Sequence, residues 1–183
     1  MTSVQERELG RARRRKEDAR LITGRTRWTD NITPAGTLHL AILRSPVAHT
    51  RITSIDTEEA RRMSGVEAVI TGRDVADEQG SLPCAWPITE DMKHPAAPAL
   101  AVDTVRFAGE AVAVVAARSA AEARDALDAI DVEYEDLPVV LDMESALQPD
   151  SPLVHPDLGT NRNATWTFDS AEAGTGGDVE QAL

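Results

Sequence analysis

Val105-Arg-Phe-Ala-Gly109-Glu110-Ala-Val-Ala-Val-Val-Ala-Ala117, Arg118-Ser119-Ala-Ala-Glu122-Ala-Arg-Asp-Ala-Leu-Asp-Ala-Ile130 and Asp131-Val-Glu-Tyr134-Glu-Asp-Leu137-Pro138-Val-Val-Leu141 follow one another without a gap and form the most regular part of the chain. Residues 111–117 are an unbroken run of small apolar side chains, the pattern of a strand covered on both faces. Ser119 and Glu122 have the S-x-x-E spacing of a capping box, in which the serine oxygen and the glutamate each satisfy a free amide of the first helical turn. Ala123, Ala126, Leu127 and Ile130 fall on one helical stripe, with Glu122, Asp125 and Asp128 off it. From Asp131 to Glu135 the alternation is strict, with Val132 and Tyr134 on one side and three acids on the other. The reading is strand, short helix, strand. No nucleotide loop belongs to it. Gly109 precedes the first strand, whereas a phosphate-binding glycine turn sits after the strand and opens the helix, and residues 116–120 contain no glycine.

Upstream, residues 37–44 alternate as a strand, with Leu38, Leu40 and Ile42 on one face and His39, Ala41 and Leu43 on the other. Ile52–Asp56 and Val66–Thr71 are further strand candidates. Between them a short helix starts at Thr57, with Thr57 as N-cap and acids in the first turn, and ends at Ser64-Gly65. His49 has no carboxylate or nucleophile near it in sequence, which favours a structural role over that of a catalytic base. From Asp77 to Ala101 no period holds, and Pro83, Pro87, Pro95 and Pro98 break any helix. Leu82, Cys84, Trp86, Ile88 and Met92 are scattered through this long loop. Apolar side chains there point to contact with the domain's own core, another subunit or a ligand. Beyond residue 141 regularity fades. Asp142–Leu147 suits a helical turn, Trp166-Thr-Phe168 suits one more strand, and Gly177-Asp178-Val-Glu-Gln-Ala-Leu183 suits the start of a helix.

With 183 residues and 42% hydrophobic content the chain can bury a core, and an aromatic content of 3% makes that core aliphatic. The net charge is −12, against nucleic acid as the main partner. Charge is unevenly distributed. Residues 1–20 hold seven basic and four acidic side chains, whereas residues 121–183 hold only Arg124 and Arg162 against fifteen acids. The basic start therefore reads as a solvated arm or a segment lying on an acidic partner, not a nucleic-acid patch. A single cysteine, Cys84, allows neither an internal disulfide nor a multi-cysteine metal or iron–sulfur site. The N-terminus has no apolar signal core, and no run approaches the length of a membrane helix, so the expectation is a cytoplasmic protein without membrane insertion.

Several separate motifs occur in an order that resembles the molybdenum hydroxylases. They are Arg15-Lys16-Glu17-Asp18-Ala19-Arg20-Leu21-Ile22-Thr23-Gly24, Leu38-His39 through Arg44-Ser45-Pro46-Val47-Ala48-His49-Thr50-Arg51-Ile52, Leu100-Ala101-Val-Asp103-Thr-Val105-Arg106-Phe107-Ala-Gly109-Glu110-Ala111, and Val132-Glu133-Tyr134-Glu135-Asp136-Leu137-Pro138. The similarity is to the start of the large, molybdopterin-binding subunit of the xanthine dehydrogenase, aldehyde oxidase and aerobic carbon monoxide dehydrogenase family. It runs from about Arg15 to Val154. The resemblance implies an α+β fold, an α/β-hammerhead with a mixed sheet and short helices over residues 21–147. A charged arm at 1–20 precedes it, and a linker with the truncated start of the next domain follows at 148–183.

By the same resemblance, the complete subunit oxidises its substrate with water-derived oxygen at a molybdenum–molybdopterin cytosine dinucleotide cofactor. The 2Fe-2S clusters and FAD sit on partner subunits. The family's cofactor loops and catalytic glutamate belong to later domains, so the expectation for this chain is no catalytic, cofactor or metal residue and no activity alone. Its partners would be the remaining molybdopterin-binding domains, the iron–sulfur subunit and the FAD subunit. The alternative is a free-standing hammerhead that docks on a separately encoded cofactor-bearing subunit. Cys84 and Trp86 are the candidates for lining a substrate passage. Phe107, Gly109 and Glu110 are those for a domain or subunit contact.

Overall fold

The computed structural model describes residues 12–83, 86, 87, 89–167 and 169. The chain divides into two units, Met1–Thr37 and Leu38–Leu183. In the first, α1 (Asp18–Ile22) is a single short helix whose Asp18 carboxylate accepts from the Arg15 backbone and side chain. A 3-10 turn follows at Thr29–Asn31, where the Asn31 side chain accepts from the Trp28 amide at 3.0 Å.

The second unit holds β1 (His39–Arg44), β2 (Thr50–Asp56), α2 (Glu58–Arg62), β3 (Val66–Thr71), β4 (Thr104–Val105), β5 (Ala111–Ala117), α3 (Ala120–Leu127), β6 (Asp131–Asp136) and α4 (Met143–Ala146). The α+β class with short helices is present. Its strands form two three-stranded sheets, ordered β1-β5-β3 and β4-β2-β6, and every pairing between them is antiparallel. The strand–helix–strand stretch is therefore not a crossover within one sheet. β5 is the centre of the first sheet, and β6 is an edge of the second.

Two aliphatic clusters follow from this division. One joins Ala60 of α2, Ala126 of α3 and nearby Ile130 to Val69, Ala113 and Val115 on one face of the first sheet. Alanines at the helix positions let both helices sit close on the strands. The other joins Ile52, Ala101, Val105 and Val112, with Ile55, Val132 and Tyr134 packed against it. β5 contributes to both clusters. The expected stripe of α3 is inward, with Ala123 and Ala126 fully buried. In β6, Val132 and Tyr134 are half-buried while Glu133 and Glu135 face solvent, where Glu135 pairs with Arg51 at 2.7 Å. That exposed pair adds little to stability.

The helix caps differ in part from their expected form. Ser119 Oγ accepts from the Glu122 amide at 3.2 Å, as an N-cap does, and contributes about 1 kcal/mol. The Glu122 carboxylate accepts from the Ser119 hydroxyl at 2.8 Å instead of from the Ser119 amide, so only half of the capping box forms. At α2 the Thr57 side chain caps nothing. The Asp56 carboxylate accepts from the Glu58 amide at 2.9 Å, and the Thr57 oxygen accepts from Arg61 Nε.

β1 settles which of its faces turns inward. His39, Ala41 and Leu43 are half-buried, and Leu40 and Ile42 are exposed. Alternation alone could not decide this, because both faces are apolar.

Residues 142–163 are more organised than their sequence suggests. Asn161 accepts from the Val154 amide at 3.0 Å and donates to Ala146 O at 3.1 Å and Pro152 O at 2.8 Å. One side chain thus replaces the main-chain ladder a periodic element would supply. Trp166 and Thr167 are not in a strand. Phe168 and the helical turn expected at 177–183 lie outside the described residues. Among the described residues no helix is long and apolar enough to cross a membrane.

Candidate functional site

The turn between β4 and β5 carries the sequence-predicted contact residues. Gly109 has φ +92°, in the left-handed region where a side chain is strained, and a Cβ there would meet nothing within 4 Å. Glycine is required here by the backbone and not by crowding. The turn is fastened to the end of β1. Gly109 N donates to Ser45 O at 2.8 Å, Ser45 N donates to Glu110 O at 2.9 Å, and Arg44 donates to Gly109 O at 2.8 Å. Glu110 is buried, and its carboxylate accepts from the Arg106 amide. Phe107 is 59% exposed. The three residues are adjacent in space, but they divide in role. Glu110 closes the turn from inside, and Phe107 stands out from it.

Behind the turn, His49 is buried and its Nδ1 lies 2.6 Å from Pro138 O. A carbonyl only accepts, so Nδ1 carries the proton. Its backbone carbonyl accepts from Leu137 N at 3.0 Å. His49 therefore holds the exit of β6 through both its side chain and its main chain, which is the structural role its sequence context favours. Burial pushes the Tyr134 phenol up from its ordinary range, with a hydrogen bond from Ser45 acting the other way. His155 is held below 6.5, first by burial and then by the Arg106 charge, against weaker opposing effects from Asp157 and Glu110.

The folded state thus disfavours charged His155. As pH falls below 6.5 the unfolded chain protonates first, and stability declines until the folded imidazole is itself protonated. His155→Gln is expected to flatten the stability–pH curve on the acid side of pH 6.5, read as denaturation midpoints. A variant as acid-sensitive as the parent in that window would contradict this assignment.

The loop from Asp77 to Ala101 is fixed at its base by Gln79, a residue with no sequence signal. Its side chain donates to Gly72 O at 3.3 Å and Leu100 O at 3.1 Å and accepts from Leu100 N at 3.1 Å. Leu82 N donates to Ala97 O at 2.9 Å, pairing the two limbs. Leu100 and Ala101 return into the core, whereas Leu82 is exposed and Trp86 is 82% exposed. Cys84, the other proposed passage residue, lies outside the described residues. A cavity of about 270 Å³ opens nearby, lined by Lys93, Leu141, Met143, Val154, His155 and Arg162 among others. Among the described residues no three His, Cys, Asp or Glu side chains converge to hold a metal ion.

Two small antiparallel sheets, two short helices on one of them and a pinned loop define a domain of the hammerhead type. The chain belongs to the family described as aldehyde oxidase and xanthine dehydrogenase, a/b hammerhead domain, which it matches over residues 23–138. It is 41% identical over 143 residues to the carbon monoxide dehydrogenase large chain of Hydrogenophaga pseudoflava, covering 78% of this chain and 17% of that one. It is 38% identical over 135 residues to a xanthine dehydrogenase molybdenum-binding subunit of Escherichia coli, covering 73% of this chain and 18% of the relative. The crystal structure of quinoline 2-oxidoreductase from Pseudomonas putida 86 superposes with a TM-score of 0.70 at 46% identity, over 75% of this chain and 17% of that one. The chain thus spans less than a fifth of the length of each of these three proteins.

Proposed function

We propose that this chain is the N-terminal hammerhead portion of a molybdenum-dependent hydroxylase large subunit, with a structural and contact role and no oxidation chemistry of its own. The observation that carries this reading is the family match over residues 23–138. In this reading residues 1–20 form an arm, 21–147 the hammerhead and 148–183 the passage into the following domain. The molybdenum–molybdopterin cofactor sits in the remaining large-subunit domains, and the 2Fe-2S clusters and FAD sit in partner subunits. Phe107 is the exposed element of a domain contact, held in place by Gly109 and Glu110. Trp86 and Cys84 border the substrate passage.

The test is metal analysis and dye-linked oxidation assays with aldehydes, purines and carbon monoxide on the purified chain. The expected result is neither stoichiometric molybdenum nor turnover. Stoichiometric molybdenum would overturn the reading. A second reading, a free-standing module that docks on a separately encoded cofactor-bearing subunit, draws on the exposed Leu82 and Trp86. Capture of a separately encoded subunit, with activity restored in the complex, would favour it.

A further inference from the structure

Among the described residues of the second unit, α2 and α3 are the helices that pack on the first sheet, and neither lies on its outer face. α2 and α3 cover the face that carries Val69, Ala113 and Val115. On the other face the strand register sets Ile42, Val114 and Ile70 in one row across all three strands, with Leu40, Ala116 and Ala68 in the adjacent row. Leu40 is 69% exposed and Ile42 42% exposed. Together with Val75, Ala99 and Leu100 they line an open depression of about 540 Å³, and among the described residues Glu78 is the only charged one in its lining. Gln79 fixes the rim at Leu100, so the depression has a built edge.

The sequence of β5 conflicts with this exposure. A central strand that is apolar at every position is the pattern of a sheet buried on both faces. A half-buried antiparallel sheet would alternate apolar with polar side chains. β5 does not alternate, and β1 and β3 place Leu40, Ile42 and Ile70 beside it. Aliphatic rows of this kind on an isolated domain mark an interaction face.

We infer that this face is the seat for the rest of the large subunit, which lays an uncharged aliphatic surface over Leu40, Ile42, Ile70 and Val114. The inference rests on the reading under Proposed function and adds the surface and the chemistry of the contact. Two observations select this occupant over a second copy of the chain. The strand pattern is that of a permanently covered sheet. The matched domain is 17% of the carbon monoxide dehydrogenase large chain, so in that relative most of the polypeptide is available to cover it.

The experiment pairs the 183-residue chain with the remaining large-subunit polypeptide encoded with it, produced as a second chain. Leu40→Thr/Ile42→Thr keeps strand preference while removing the aliphatic surface. The expected result is capture of the second polypeptide by the parent chain and affinity weakened at least about tenfold in the double variant. Val139→Thr, an exposed control in an extended segment, leaves affinity unchanged.

Parent-like affinity in the double variant would overturn the assignment of the face and leave the subunit reading standing. Failure of the parent chain to bind at all would overturn both. A parent dimer in light scattering that the double variant disperses would give the face to a second copy and overturn the proposal. Hydrogen exchange on the unsubstituted pair is a second measurement. Slowed exchange in β1 and β3 on complex formation supports the seat, and unchanged exchange there counts against it.

Discussion

Gly72→Ala is expected to destabilise the protein by about 3 kcal/mol, near the upper range for forcing extra volume into packed structure. Gly72 follows β3 directly, where the chain passes the segment returning from the long loop. A Cβ at this position would lie 2.0 Å from Ala101 O and 2.6 Å from Ala101 C. Both are main-chain atoms, so no side-chain rotation relieves the clash. The segment is also tied on both sides. Ala101 N donates to Ala111 O at 2.8 Å, and Gln79 bonds both Gly72 O and Leu100 O.

Moving Ala101 therefore disturbs the entry to β5 and the base of the loop together. For a domain of this size the loss corresponds to a fall in melting temperature of about 6–12 °C. Gly80→Ala is the matched control, since a Cβ there meets nothing within 4 Å. Equal melting temperatures for the two variants would show that the close approach at Gly72 is not a constraint.

Ile52→Ala is expected to cost about 2–5 kcal/mol, measured as a shift in denaturation midpoint at constant slope. Ile52 lies on the central strand of the second sheet and is 1% exposed. It packs with Ala101, Val105 and Val112, residues too small and too fixed in strands or their flanks to close over the space it leaves. Its backbone is pinned as well, with Ile52 N donating to Asp103 O at 2.9 Å and Arg73 donating to Ile52 O at 3.1 Å. Ile22→Ala, at an exposed position, should stay within about 0.5 kcal/mol of the parent. A small effect at Ile52 would mean that the second cluster can collapse around the lost atoms.

What the sequence made legible was periodic. β5, α3 and β6 announce themselves through a continuous apolar run, a stripe and an alternation, and the inward residues of α3 and β6 can be read off directly. The assignment of strands to two sheets cannot be read that way, because periodicity describes a strand's faces and not its neighbours. β4, with two residues, is too short to show a period at all.

The fastenings by Gln79, Asn161 and Arg73 were also hidden, since a side chain that bonds distant main-chain atoms leaves no local pattern. At the turn between β4 and β5 the sequence located Phe107, Gly109 and Glu110. It could not divide them into an exposed aromatic and a buried carboxylate, because that division depends on Ser45 and Arg44, more than sixty residues away.

β5 sends Val112 into one aliphatic cluster and Ala113 and Val115 into the other. Adjacent residues of one strand thus belong to different cores, and neither core can loosen without dragging the strand that the other depends on. The domain has no internal seam along which to come apart in stages. Load applied at either cluster is therefore transmitted through β5 to the other.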